Sequence, residues 1–195
     1  MAEHNTLTGS SLHEPKGVST ANEGEIYIAD GAGSGDWTAV SSAVADAHIC
    51  VYLDPQEQTR SFSSGDLDTI LPFSLDYSST EVNNFTWDNT AKEITYTGTA
   101  NIVVTINATM SLRLVGAGSP TLRFYVQKYT GGAWVTNVRS MSARKFSSND
   151  VGNMTLGCLG TMNVGEKIRL VVECNQAESF VAENINFYLA GVITP

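Results

Sequence analysis

NIVVTINATMSLRLV, residues 101–115, decides the fold. Ile102, Val104, Ile106, Ala108, Met110, Leu112 and Leu114 fall on one parity, and Val103, Thr105, Asn107, Thr109, Ser111, Arg113 and Val115 on the other. This unbroken alternation matches the two-residue period of a strand and not the 3.6-residue period of a helix. It predicts a long strand with one face in a core.

The same period recurs on either side. Leu122, Phe124 and Val126 follow the turn Gly116-Ala-Gly-Ser-Pro120, and Gly131-Gly132 separates that strand from Ala133–Ser140. Met154, Leu156 and Cys158 alternate. Ile168, Leu170, Val172 and Cys174 come after the turn Asn163-Val-Gly165, and Ile185, Phe187, Leu189 and Gly191 close the chain. Roughly eight to ten strands with turn signals between them predict an all-β protein, an antiparallel β-sandwich of the jelly-roll kind.

Composition agrees. Of the 195 residues, 42% are hydrophobic and only 16% charged, and glycine is abundant at 17. That supports one real core and favours strands and turns over helices. The net charge of -9 comes from 20 acidic against 11 basic residues. Nucleic acid and anionic membranes are bound by clustered Lys and Arg, so neither is expected as a partner. Such acidity suits solubility and mutual repulsion between copies. No apolar run is long enough for a transmembrane helix. Residues 1–20 lack the basic start and apolar middle of a secretory signal, which predicts folding in a cytoplasm. The sequons at Asn84, Asn107 and Asn153 are then read as strand residues, not sugar acceptors.

Two regions follow, 1–47 and 48–195. Residues 1–24 are polar, with few aliphatics to offset their backbone entropy, which predicts an extended arm. Glu25-Ile-Tyr-Ile-Ala-Asp30, the loop Gly31-Ala-Gly-Ser-Gly35 and Asp36-Trp-Thr-Ala-Val40 read as a hairpin. A lone hairpin is marginal in water, so Ile26, Ile28, Trp37 and Val40 need a surface to lie on.

Some strands of the second region are apolar or aromatic on both parities: Phe124 with Tyr125, Phe187 with Tyr188, and Val171 with its neighbours. A sheet with one wet face should not read this way. Tyr125, Phe187 and Tyr188 are therefore the expected subunit interface, where a tyrosine packs its ring and still satisfies its hydroxyl.

Chemistry finds little support. Gly31–Gly35 lacks the Lys-Ser/Thr of a phosphate loop, and no Gly-x-Ser-x-Gly elbow occurs. His4, His13 and His48 are far apart, and Cys50, Cys158 and Cys174 match no zinc or redox spacing, so they read as buried free thiols. Asp66 and Asp68 lie in a Ser/Gly-rich stretch that reads as a turn with solvated acids. No catalytic residue, metal or cofactor is expected.

The element order from Asn84 onward resembles the trimeric jelly roll of the tumour necrosis factor and complement globular-head superfamily. The parts are Phe85–Tyr96, Asn101–Val115, Thr121–Tyr129, Asn163-Val-Gly-Glu-Lys-Ile-Arg-Leu170 and Asn186–Ile193, a little over half of the chain. The final strand departs from the family's aromatic–small–Gly–aromatic pattern. The resemblance implies a homotrimer.

Residues 9–40 carry a second resemblance. His13-Glu-Pro15-Lys16-Gly17, then Ile26-Tyr27-Ile28-Ala-Asp30-Gly31 and Trp37, is similar to the N-terminal module of tailed-bacteriophage virion proteins of the head-fibre, capsid-decoration or tail-fibre kinds. What that implies is attachment through these residues to the major capsid protein or another virion protein, after assembly in the host cytoplasm. The expected role is capsid decoration or head fibre. The alternative is a receptor-binding tail-fibre or spike tip for a host surface glycan or receptor, with Trp134 as the tip candidate.

Overall fold

The computed structural model describes residues 22, 25–29, 35–39, 47–63 and 66–193. Every described element is a strand. They are β1 (Glu25–Ala29), β2 (Gly35–Ala39), β3 (Ala47–Leu53), β4 (Gln58–Phe62), β5 (Asp66–Ile70), β6 (Leu75–Asn83), β7 (Phe85–Asp88), β8 (Glu93–Tyr96), β9 (Ile102–Leu114), β10 (Thr121–Thr130), β11 (Ala133–Lys145), β12 (Val151–Met162), β13 (Lys167–Cys174) and β14 (Glu178–Ile193).

The chain divides into two units, Met1–Val44 and Ala45–Pro195. In the first, β1 and β2 form the expected antiparallel hairpin. Its faces differ from the expectation. Tyr27 sits opposite Trp37, with ring centroids 5.5 Å apart in an edge-on contact. Directly opposed residues share a face, so Trp37 lies with Tyr27 and not with Ile28.

In the second unit the strands make two antiparallel six-stranded sheets. One runs β11-β10-β13-β8-β7, with β5 also on β13, and the other β12-β9-β14-β3-β6, with β4 also on β14. The core lies between them. β9 sends Ile102, Val104, Ile106, Ala108, Met110, Leu112 and Leu114 into it, the parity read from the sequence. β10 and β13 face it with Leu122, Phe124, Val126, Ile168, Leu170 and Val172. At one end Phe180 meets Phe62 and Phe146 edge-on, at 5.7 and 5.1 Å between ring centroids.

Two irregularities matter. β14 carries an extra residue at Glu183, where the register against β9 shifts between Ala182 and Asn184. Phe180 and Ala182 point inward before it, and Ile185, Phe187 and Leu189 after it. β11 bulges between Asn137 and Ser142, opposite Tyr125. There the buried Ser140 hydroxyl accepts from the Val126 N–H at 2.9 Å and donates to the Asn137 carbonyl at 2.7 Å, replacing the lost ladder bond.

The turns explain the punctuation. Gly131 and Gly132 have φ of 60° and 86° and form the whole loop between β10 and β11. A two-residue hairpin loop with both φ positive matches the twist of its strands, and glycine takes it without steric cost. Gly165, at φ 83°, serves the turn from β12 to β13. The acid that follows it ties that turn down. Glu166 accepts from the Asn163 N–H at 2.7 Å and the Thr130 hydroxyl at 2.6 Å, and pairs with Lys128 Nζ at 2.6 Å.

Several expectations are corrected. Asp66 and Asp68 lie in β5, not in a turn. Asn84 occupies a turn at φ 57°, whereas Asn107 and Asn153 are strand residues. Of the cysteines only Cys174 is fully buried. Cys50 and Cys158 are half-buried, with thiols pushed up by desolvation and, for Cys50, by Glu81.

Two outcomes are expected. Phe180→Ala should cost about 3–5 kcal/mol in urea unfolding, because the aromatic cluster around it cannot close the hole. Burial alone would raise the Glu166 carboxyl, but its bonds to Lys128, Thr130 and Asn163 hold it below the usual range. A depressed acid stabilises above its unfolded pKa, and that stabilisation is lost as pH falls through the folded value. Stability should therefore decline on acidification, and Glu166→Gln should flatten that decline in unfolding curves taken across the acid range.

Candidate self-association surface

The ladder β12-β9-β14-β3 has an outer face opposite the core. Its rows follow from the register. Gly157, Asn107, Tyr188 and Cys50 stand side by side; so do Leu159, Thr105, Ala190 and His48; so do Thr155, Thr109, Asn186 and Tyr52. Thr161, Val103 and Val192 extend the surface at one end. None of these side chains is Asp, Glu, Lys or Arg, in a chain that carries 31 such residues, 20 acidic and 11 basic. Towards the other end come Asn153, Ser111 and Asn184, and only then the ion pair of Arg113 with Glu183 at 3.2 Å.

The face is open and partly apolar. Leu159 is 71% exposed, Val192 50% and Tyr188 41%. A surface without Asp, Glu, Lys or Arg, with apolar groups and a central tyrosine, has the composition of an interface core. A second apolar patch lies elsewhere. Val138 and Met141, on the bulge of β11, are also exposed.

The three residues expected at an interface part company. Tyr188 is on this face. Phe187 points the other way and is 1% exposed in the core between the sheets, so it cannot meet a second copy. Tyr125 lies on the opposite sheet, is also 1% exposed, and donates its hydroxyl to Glu173 at 2.7 Å. Its ring is covered within the chain. Sequence parity identified the pairs but not which member stayed open. Leu159 and Val192 were missed altogether, although Leu159 stands at an outward position between Cys158 and Gly160.

Trp134 is corrected too. It is not at a loop tip but at the start of β11, paired with Tyr129 across the hairpin, with ring centroids 5.3 Å apart. The Arg169 guanidinium lies over the Trp134 ring at 4.0 Å from its centroid. Arg169 is held there by Nε and Nη2, which donate to Gln127 Oε1 at 2.9 and 2.7 Å. A ring face taken by an arginine is closed to a sugar.

Of the expected anchor residues, Tyr27, Ile28 and Trp37 are on the described hairpin, and Ile28 is exposed. Ile26 is in β1, but its side chain lies outside the description, as do His13, Pro15, Lys16, Gly17, Asp30 and Gly31 entirely.

No family model and no curated protein matches the chain. Solved structures do. The Eiger TNF of S. frugiperda is similar over 77% of this chain and 94% of its own, with TM-score 0.55 and 7% identity. Murine APRIL at pH 8.0 is similar over 74% of this chain and 99% of its own, with TM-score 0.50 and 11% identity. This is the tumour necrosis factor jelly-roll fold. At these identities the likeness concerns the fold alone. The globular domain of the zebrafish complement 1qA protein is also similar, with TM-score 0.47 and 12% identity, over 76% of this chain and 98% of its own.

Arg169→Ala should uncover Trp134. The expected readout is a red-shifted tryptophan emission and stronger acrylamide quenching, with the fold retained by circular dichroism.

Proposed function

We propose that this chain is a virion structural protein, a capsid decoration or head-fibre subunit. It assembles as a homotrimer through the outer face of β12-β9-β14-β3 and attaches through residues 1–47. The observation that carries the self-association is the charge-free, partly apolar sheet face around Tyr188. A protomer of net charge -9 repels its copies overall, which favours contact where no charge stands. The face and the Val138–Met141 patch differ, so a contact between them is heterologous. Repeated by rotation, such a contact closes into a ring, which a threefold axis completes.

Attachment rests on the likeness of residues 9–40 to phage virion modules and on the hairpin's need for a partner. Three copies of a weak anchor joined in one trimer raise one another's effective concentration, and avidity follows without a new contact. For the chain this role involves no catalysis and no cofactor. Its partners are itself and the major capsid protein or another virion protein, and it resides in the virion. The receptor-binding alternative loses support with Trp134, whose ring is stacked under Arg169.

Sedimentation equilibrium should give about 63 kDa, three times the 20.9 kDa chain. Tyr188→Asp should shift that mass towards the monomer, since a carboxylate buried without a partner costs several kcal/mol. A mass of one chain for the unsubstituted protein at micromolar concentration would refute the trimer. Removing residues 1–44, the first compact unit, should leave a folded trimer that no longer decorates particles. Gold-labelled antibody to the β-sandwich should mark phage heads, whereas labelling confined to tails would move the assignment to the tip role.

A further inference from the structure

A second surface feature borders the charge-free face, at the Thr161 end of β12. Where the two sheets part, at the β11–β12 side of the sandwich, a cavity of about 290 Å³ opens into the core. Its floor is Val104 and Ile106 of β9, Val126 of β10 and Ile168 of β13. Half-exposed Val135 forms part of the wall.

The cause is a missing side chain. From Met154 to Met162 the inward positions of β12 hold Met154, Leu156, Cys158, Gly160 and Met162, so Gly160 breaks that column; at Gly152, the other inward glycine, the Arg144 side chain takes the vacant place. A Cβ on Gly160 would sit 3.9 Å from both Ile106 Cδ1 and Val104 Cγ1, an ordinary contact distance. The backbone there does not require glycine, and packing would accept a larger residue. A well-packed interior leaves few voids beyond the size of a water.

The rim carries its own charge balance. Among the described residues that line the cavity, Lys128 is the charged one. Its Nζ pairs with Glu166 Oε2 at 2.6 Å and donates to the Thr161 carbonyl at 2.7 Å. Asn137 Nδ2 is turned to Cys158 Sγ at 3.5 Å. The cation is thus neutralised within the chain, and the floor offers no polar group.

From this we infer that the cavity is a binding site for a small neutral apolar molecule. Enclosed apolar cavities of about 150 Å³ take one benzene, so the roughly twofold larger volume of this half-open cavity suits one or two fused rings or an equivalent branched hydrocarbon. The usual ligand site has this form, an apolar pocket with a few polar groups at its mouth.

The test uses the full chain and 1-fluoronaphthalene, followed by fluorine NMR. Saturable broadening of the probe resonance and a rise in Tm are expected. Gly160→Val should fill the space, raise Tm without probe, and weaken probe binding at least ten-fold. Unchanged binding in Gly160→Val, or no saturable binding to the original protein, would overturn the site. Binding of 1-naphthoate as tight as the neutral probe would overturn the ligand class. A change of native mass in Gly160→Val, without probe binding by the original protein, would assign the cavity to contact between copies and refute the inference.

Discussion

The pairing of β9 with β14 is the constraint on which the rest depends. Their ladder runs from Phe180 opposite Leu114 to Ile193 opposite Ile102, with β12 on its far side and β3 and β4 sharing the near edge of β14. Strand side chains alternate, so this single register decides two surfaces at once. A slip of one residue would put Val103, Thr105 and Asn107 into the core and Val104, Ile106 and Ala108 into water. The apolar inner column makes that slip costly. It thereby also places Tyr188 beside Asn107 and Ala190 beside Thr105 on the outside.

Stability and the proposed association thus rest on opposite parities of the same strands. The inner parity fills the sandwich. The outer one is cleared of ionised groups over four strands and keeps Leu159, Tyr188 and Val192 open. The Glu183 bulge joins two halves of β14 whose inward parities differ, and the Arg113–Glu183 pair marks where the charge-free zone ends. The hairpin of β1 and β2 belongs to a separate unit.

Much of this was legible in the amino-acid order, and the failures have physical causes. β9 is regular and buried on one side, so period alone described it. β14 was visible only from Ile185, because the bulge reverses its parity and hides Phe180 and Ala182 from any search for a continuous alternation. The pairs Phe124–Tyr125 and Phe187–Tyr188 look alike locally. They separate in exposure, Tyr125 at 1% and Tyr188 at 41%, and parity along one strand carries no information about that. Leu159 and Tyr188 are brought close only by pairing through β9, across a gap of 29 residues. Trp134 follows two glycines and reads as a tip. The two-residue loop is too short to contain it, so it begins the return strand under Arg169. Glu166 shows the reverse case: the segment Asn163–Leu170 is legible as a family likeness, and its acid proves to be the group that satisfies the turn and ties it to β10.

The most direct test places a photoreactive benzoylphenylalanine at Tyr188 and irradiates the purified protein at micromolar concentration. Covalent dimers and trimers should form there in high yield, with few from the same group placed at exposed Lys145. Only monomer from the Tyr188 position, in protein that remains folded, would contradict the claim that this face joins the copies.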